Sequence, residues 1–144
     1  MIKKCIICDT NIIRKYPKPT QICCSRMCQG IYVGRKQREE YIKLWKLGKV
    51  SGLQEGGSCP NGRPKRYEIS DRVRYYLYET RGRKCEECGW QEINQTTKES
   101  PVQIHHKDGN TKNASEKNLI ILCPNCHSLT PTWQNLNKEK RKKF

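Results

Sequence analysis

The sequence offers little material for a hydrophobic core. Hydrophobic residues make up 34% of its 144 positions and aromatic residues 8%, with a single phenylalanine and a mean hydropathy of -0.95. A chain of this length has room for one compact domain or two small ones, and small domains bury too little apolar surface to be stable unaided. Hydrophobic packing alone is therefore excluded as the source of stability.

Long apolar runs are also missing. No window approaches the length that a membrane-spanning helix needs. The segment from Met1 to Lys4 runs straight into Cys5, without the apolar stretch of a signal peptide. We therefore expect a cytoplasmic protein that does not span a membrane.

Acidic residues are scarce. Fourteen Asp and Glu stand against 29 Lys and Arg, which leaves a formal net charge of +15 and a pI of about 9.5. The basic residues are spread along the chain, which favours a folded basic surface that follows the phosphates of a polyanion. A basic ribosomal protein would share this composition, so the motifs have to separate the possibilities.

Cysteine is the residue that the sequence has in excess, with ten copies. In a reducing compartment, cysteine pairs separated by two residues indicate zinc rather than disulfides. Residues 1–34 are predicted to form a zinc ribbon with four thiolates, the soft ligands that tetrahedral zinc prefers. The predicted ligands are Cys5, Cys8, Cys24 and Cys28. Cys23 is the alternative to Cys24, which is favoured because the spacing Cys-Ser-x-x-Cys resembles a knuckle of small zinc ribbons.

A second zinc site is predicted in the C-terminal half of the chain. Its ligands would be Cys85, Cys88, Cys123 and Cys126, which form two more Cys-x-x-Cys pairs. Four buried free cysteines are the alternative, but they would leave this apolar-poor region without a stabilising core. Trp90 and Trp133 are predicted to be core aromatics beside this site, and the isolated Cys59 a free thiol.

Residues 35–66 are predicted to form a basic amphipathic helix followed by a linker. The helix would extend to residue 47 and either follow DNA or pack its apolar side on a neighbour, and we favour packing. Its apolar side would consist of Tyr41, Leu44, Trp45 and Leu47. Residues 48–66 contain five glycines and two prolines, which indicates an irregular linker.

A second helix is predicted from the N-cap Ser70 through Thr80 to the C-cap Gly82. Val73 and Leu77 would face the core of the domain. The helix also carries arginines that would be available to DNA phosphates, namely Arg72, Arg74 and Arg81.

A strand ending in two adjacent histidines, His105 and His106, is predicted next. Val102 and Ile104 alternate with polar neighbours, and the Asp-Gly pair that follows the histidines signals a turn. Adjacent residues on a strand point to opposite faces, so the two imidazoles are expected to have different tasks.

A second strand at residues 119–122 and a short helix beginning near Pro124, which carries His127, complete the pattern. Residues 82–136 resemble the HNH endonuclease family, whose fold is a ββα-metal motif. The matching positions are Cys85, Cys88, Gly89-Trp90, His105-His106, Asp108-Gly109-Asn110, Asn118-Leu119 and the run from Cys123 to Thr130. The expected fold is therefore α+β, with an N-terminal zinc ribbon, a helical and basic linker, and an HNH nuclease domain in residues 67–144.

The resemblance implies a role for each residue of the site. His105 and His127 would bind a catalytic divalent ion, His106 would be the general base, and Asn118 would brace the loop between the strands. Two protein ligands leave room for phosphate and water, which suits Mg²⁺ or Mn²⁺, while a two-histidine site also attracts Zn²⁺ or Ni²⁺. Many family members have Asp where His105 stands, so metal affinity is expected to be weaker and more pH-dependent here.

The implied activity is metal-dependent hydrolysis of phosphodiester bonds in duplex DNA, in the bacterial host of a phage or mobile element. Each site would cut one strand, so a double-strand break would need a homodimer or two nicks. Lys107 and Lys112 flank the catalytic loop and would contact phosphate, with solvated lysines as the alternative, and residues 138–143 would form a basic tail. The competing hypothesis is a zinc-dependent DNA-binding module, for packaging or regulation, that does not cut.

Overall fold

The computed structural model describes residues 3–13, 20–54 and 68–133. These residues form three α-helices, one short 3-10 helix and a two-stranded sheet, which confirms the α+β class. The chain divides into two compact units, Met1–Lys43 and Leu44–Phe144. Three predictions concern residues outside the described ranges: the free thiol of Cys59, the basic tail and most of the linker. In the described part, no helix is long and apolar enough to cross a membrane.

The first unit begins with a turn around the Cys5 and Cys8 pair. The amide of Cys5 donates to the carbonyl of Thr10 at 2.9 Å, and the amide of Asp9 donates to the carbonyl of Cys5 at 3.0 Å. Asp9 has a positive φ of 56°, a left-handed conformation that Asp tolerates better than most residues. The local hydrogen bonds thus direct both sulfur atoms of the pair to one side of the turn.

Helix α1 spans Arg26–Lys46. The prediction that this helix starts at residue 35 was wrong, because the second cysteine knuckle is itself the beginning of the helix. Ser25 precedes the helix and accepts a hydrogen bond from the amide of Cys28 at 3.2 Å, as an N-cap residue does. Residue 34, the predicted end of the zinc ribbon, therefore lies inside α1. The division of the chain into ribbon, linker and nuclease domain stays a prediction.

Helix α2 spans Asp71–Arg81 and has the predicted caps. The hydroxyl of Ser70 accepts from the amide of Val73, and Gly82, at a φ of 79°, donates its amide to the carbonyl of Tyr78. Val73 and Leu77 are fully buried. The prediction of this helix from its capping residues and its apolar spacing is confirmed.

Strands β1 (Gln103–His106) and β2 (Leu119–Leu122) pair in antiparallel register, with His105 opposite Ile120 and His106 opposite Leu119. The 3-10 helix Glu116–Asn118 leads into β2, and helix α3 (Pro124–Ser128) follows it. The predicted strands and short helix are confirmed. Leu119, Ile121 and Leu122 are buried, so that β2 fixes the sheet in the core of the second unit while β1 is more exposed.

Trp45 connects the start of the second unit to the segment before the 3-10 helix. Its indole N–H donates to the carbonyl of Ala114 at 2.8 Å, and its ring meets that of Tyr76 edge to face at 6.0 Å. Trp45 is 4% exposed, whereas Leu47 is 61% exposed. Packing of Trp45 is therefore observed, but the inclusion of Leu47 in the apolar side of the helix was wrong.

Candidate metal centres and catalytic histidines

Two clusters of four cysteines have all their sulfur atoms within 4.8 Å of one another. Their members are Cys5, Cys8, Cys24 and Cys28 in the first unit, and Cys85, Cys88, Cys123 and Cys126 in the second. Tetrahedral zinc with Zn–S bonds of about 2.3 Å requires sulfur atoms roughly 3.8 Å apart. The sulfur of Cys8 lies 3.4 Å from that of Cys24, and the sulfur of Cys88 lies 3.8 Å from that of Cys123. Both clusters therefore fit a structural zinc ion.

The fourth sulfur of the first cluster belongs to Cys24 and not to Cys23. Cys23 is 4% exposed, and its burial, together with the charge of Cys5, raises the pKa of its thiol. Hydrogen bonds from Thr10 and from Cys8 lower the pKa of Cys24 instead. The position of its sulfur atom in the cluster therefore favours Cys24 as the ligand.

The two cysteine clusters use the same backbone turn at their first cysteine pair. The amide of Cys85 donates to the carbonyl of Trp90 at 2.8 Å, and that of Gly89, at a φ of 75°, donates to the carbonyl of Cys85 at 2.9 Å. Cys5 has the equivalent bonds. Burial raises the pKa of both Cys5 and Cys85, but hydrogen bonds from backbone amides outweigh it and lower the pKa of each to about 6. The folded turns thus favour the thiolate form of these two cysteines before any ion binds.

His105 and His127 lie side by side, as the predicted pair of metal ligands requires. Their ring centroids are 4.9 Å apart and the ring planes are inclined at 66°. His105 belongs to β1, and His127 belongs to α3, directly after Cys126 of the second cysteine cluster. The second cysteine cluster therefore also positions the helix that carries one of the two histidines.

The electrostatic environment of this pair fits a metal ion. The Nδ1 atom of His127 is buried and has no hydrogen-bond partner in the described part of the chain, a costly situation that coordination would relieve. Burial lowers the pKa of both His105 and His127, and the charges of the neighbouring histidines lower that of His105 further. Both imidazoles are thus neutral at pH 7, as ligands must be.

His106 follows His105 on the strand and therefore points to the opposite face of the sheet. It lines a cavity of about 670 Å³, together with Arg74, Tyr78 and Ser100. Burial lowers the pKa of His106 although the charge of Asp108 opposes this shift. The ring is neutral at pH 7, and its Nε2 has no hydrogen-bond partner among the residues that the structure describes.

Asn118 holds the loop that follows the two histidines. Its side-chain amide donates to the carboxylate of Asp108 at 2.8 Å and to the carbonyl of Asn113 at 2.7 Å, and its side-chain oxygen accepts from the amide of Asp108 at 3.1 Å. The amide of Lys107 donates to the backbone carbonyl of Asn118 at 2.9 Å. Hydrogen bonds from Asn113, and then from Asn110 and Asn118, lower the pKa of Asp108. The loop after β1 is thus fixed to the residue that precedes β2.

The residues predicted to contact DNA lie on two elements. The loop after β1 carries Lys107 and Lys112, and helix α2 carries Arg72, Arg74 and Arg81. Arg74 also donates to Asp71 at 3.0 Å. Arg81 has a second task that the sequence did not reveal, since its guanidinium donates to the carbonyls of Leu119 at 2.8 Å and Glu116 at 3.1 Å. Contact of these five residues with DNA stays a prediction.

Two further residues contact the histidine pair: Thr132, which no motif singled out, and Trp133, which was predicted to be a core aromatic beside the second cysteine cluster. The hydroxyl of Thr132 lies 3.1 Å from Nε2 of His105. Trp133 meets the ring of His127 edge to face at 4.8 Å, whereas Trp90 packs on the cysteine cluster as predicted. Neither contact follows from spacing, because both depend on how the chain turns after α3.

Comparison with known proteins bears on this site. The chain is similar, over part of its length, to a phage H-N-H endonuclease. A stretch of 54 residues, 38% of the chain, is 48% identical to part of the H-N-H endonuclease F-TflIV of Escherichia phage T5. A stretch of 114 residues, 79% of the chain, is 26% identical to part of the Zorya protein ZorE of Escherichia coli. The matched stretches cover 23% of each of these proteins, so the chain spans about a quarter of their length. No family model and no solved structure matches the chain.

Proposed function

We propose that this chain forms a metal-dependent endonuclease unit, encoded by a phage or mobile element, that hydrolyses phosphodiester bonds of duplex DNA. The observation that carries the proposal is the arrangement of three histidines, with His105 beside His127 and His106 on the opposite face of the same strand. The partial identity to a phage H-N-H endonuclease supports it. In this reading β1, β2 and α3 form a ββα-metal core.

His105 and His127 would hold the divalent ion. A bound ion would supply a Lewis acid that offsets the charge on the phosphate and on the leaving 3′ oxygen. With two protein ligands, the remaining positions stay open to phosphate oxygens and water, which suits Mg²⁺ or Mn²⁺, although imidazoles also bind Ni²⁺ and Zn²⁺. The cysteine clusters would hold structural zinc and so keep the histidines in place.

His106 would accept the proton of the attacking water. Its neutral ring at pH 7 is in the form that a general base requires. Asn118 would keep the adjoining loop in one conformation, and Lys107 and Lys112 on that loop would contact phosphate. The net charge of +15 would supply the sequence-independent part of DNA binding. A double-strand break would follow from two nicks or from a homodimer.

Cleavage of supercoiled plasmid by the wild type and by His106→Ala, with Mg²⁺ or Mn²⁺ added or omitted, tests the proposal. Omission is preferable to a chelator, which would also remove structural zinc. We expect metal-dependent nicking by the wild type and a rate at least about 100-fold lower for His106→Ala, since general bases contribute roughly that much. Failure of the wild type to cut with Mg²⁺, Mn²⁺ or Ni²⁺, while it still shifts DNA in a gel, would favour the zinc-dependent binding module instead.

A further inference from the structure

The segment that follows α3 turns back toward the two histidines that would bind the catalytic ion. The amide and the hydroxyl of Thr130 both donate to the carbonyl of His127, at 3.2 and 2.8 Å. The amide of Trp133 donates to the carbonyl of Thr130 at 3.0 Å. These bonds define a turn that places residues 132 and 133 beside the histidine pair.

Thr132 contacts His105 at one ring nitrogen. Its hydroxyl oxygen lies 3.1 Å from Nε2, which is a hydrogen-bond distance. A neutral imidazole has one N–H and one lone pair, and the partner of one nitrogen decides which of the two is protonated. When the hydroxyl accepts from Nε2–H, the lone pair is at Nδ1 and is available to a metal ion.

Gly109 of the catalytic loop makes room for Thr132. A Cβ at position 109 would lie 2.5 Å from Cγ2 of Thr132, closer than real side chains approach, and 3.1 Å from its Cβ. Gly48 has a similar positive φ, but a Cβ there would meet nothing within 4 Å. Close contact with Thr132 thus adds to the backbone reason for glycine at 109. Thr132 is packed between the loop and His105.

Trp133 contacts the other histidine of the pair. Its ring meets that of His127 edge to face, with centroids 4.8 Å apart and planes inclined at 82°. Consecutive residues of one turn therefore touch both imidazoles, Thr132 through a polar atom and Trp133 through an apolar ring. Of the two contacts, only that of the hydroxyl can be a hydrogen bond to a ring nitrogen, and it leaves the lone pair at Nδ1 when the hydroxyl accepts from Nε2–H.

We propose that Thr132 is a positioning residue that fixes the Nε2–H tautomer of His105 and so directs Nδ1 to the catalytic ion. The inference rests on the proposed function, because it assumes that His105 and His127 bind that ion. Hydrogen-bond partners of metal-binding histidines act in this way, and their loss lowers metal affinity by about 10–100-fold.

Two variants separate the hydroxyl from the shape of the side chain. Thr132→Val keeps the volume and removes the hydroxyl, whereas Thr132→Ser keeps the hydroxyl. In zinc-loaded protein titrated calorimetrically with Mn²⁺, we expect Thr132→Val to bind about 10–100-fold more weakly than the wild type and Thr132→Ser to bind as the wild type does. Gly109→Ala, which displaces Thr132, should weaken Mn²⁺ binding as well.

The tautomer itself can be observed by nitrogen-15 NMR, because the chain has only three histidines. His105 should be Nε2–H in the metal-free wild type and in Thr132→Ser, and a mixture of tautomers in Thr132→Val. An Nδ1–H tautomer in the wild type, or equal Mn²⁺ affinity of the wild type and Thr132→Val, would overturn the inference alone. A wild type that binds no Mn²⁺ beside its structural zinc would overturn the proposed metal site instead. If Thr132→Val does not fold, the tautomer of His105 in the wild type still decides.

Discussion

The imidazole of His127 lies with its edge toward that of His105, at a centroid separation of 4.9 Å, although one residue belongs to a helix and the other to a strand. Two structural features bring the rings together. The register of β1 against β2 places His105, and the cysteine cluster places α3 through the residue that precedes His127. We therefore expect that the catalytic ion can be lost without loss of structural zinc from the second unit. Loss of that zinc, by contrast, should also disturb the site of the catalytic ion.

His127→Ala should abolish binding of the catalytic ion and leave structural zinc in place. The side chain of His127 makes no hydrogen bond through Nδ1 in the described part of the chain, so its removal breaks no described polar contact of that atom. Calorimetric titration with Mn²⁺ and zinc analysis of the same sample would measure both quantities. Undiminished Mn²⁺ affinity in this variant would remove His127 from the proposed site.

Zinc content should distinguish Cys23 from its neighbour Cys24. Cys24→Ala removes a member of the first cluster, so the zinc content should fall from two ions to one per chain. Cys23→Ala removes a buried thiol that lies outside the cluster and should leave both ions bound. The matched pair is measured by elemental analysis after dialysis. Equal zinc loss in both variants would show that either cysteine can complete the site.

Loss of the first zinc ion should also lower stability. A structural zinc ion contributes free energy of folding on the order of 10 kcal/mol in small zinc domains, so the first unit of Cys24→Ala should unfold at lower temperature. Cys85→Ser should have the same effect on the second unit. Because the second cluster also positions α3, Cys85→Ser should in addition stop DNA cutting, whereas unchanged melting and zinc content would refute the second site.

Local signals in the sequence predicted a large part of this fold. The caps Ser70 and Gly82 define α2 because each satisfies a backbone group at a helix end, whatever the rest of the chain does. The alternation of Val102 and Ile104 with polar neighbours and the Asp-Gly turn predicted strand β1, because they too are local signals. The cysteine spacings predicted both clusters, because four thiols at short separations can be brought together by two tight turns.

Features that depend on tertiary contacts were not predictable. Helix α1 starts at Arg26 because the second knuckle of the ribbon is compatible with helical geometry, which spacing alone does not show. Arg81 was predicted to be available to DNA phosphates, and the contacts in which the carbonyl groups of Glu116 and Leu119 accept its hydrogen bonds were not predicted. Thr132 carries no motif, since its contact with His105 arises from the turn after α3.

Substitution of Asn118 should release the catalytic loop. Asn118→Ala removes the hydrogen bonds to Asp108 and Asn113, and we expect faster amide exchange in residues 107–113 and a slower cutting step with little change in DNA affinity. Asn118→Asp should be worse, because a carboxylate would then face the carboxylate of Asp108. If the alanine variant cuts normally and its loop exchanges no faster, the loop does not need Asn118.

A last prediction concerns two glycines with almost the same positive φ. Gly48 and Gly52 have φ values of 69° and 73°, which cost an alanine about 1 kcal/mol each. A Cβ at 48 would meet nothing within 4 Å, whereas a Cβ at 52 would overlap the indole nitrogen of Trp45. That nitrogen donates to Ala114, so Gly52→Ala must displace a buried ring and weaken a buried hydrogen bond.

Denaturant unfolding of the two alanine variants measures the difference between them. Gly48→Ala should lose about 1 kcal/mol of unfolding free energy, from backbone strain alone. Gly52→Ala should lose a further 1–3 kcal/mol or so, the usual range for overpacking. Equal losses would mean that Trp45 can move aside at no cost, and the indole contact with Ala114 would then contribute little to the second unit. A larger loss at Gly52 would instead show that the position of the Trp45 ring, and with it the contact to Ala114, stabilises the segment just before the 3-10 helix that contains Asn118.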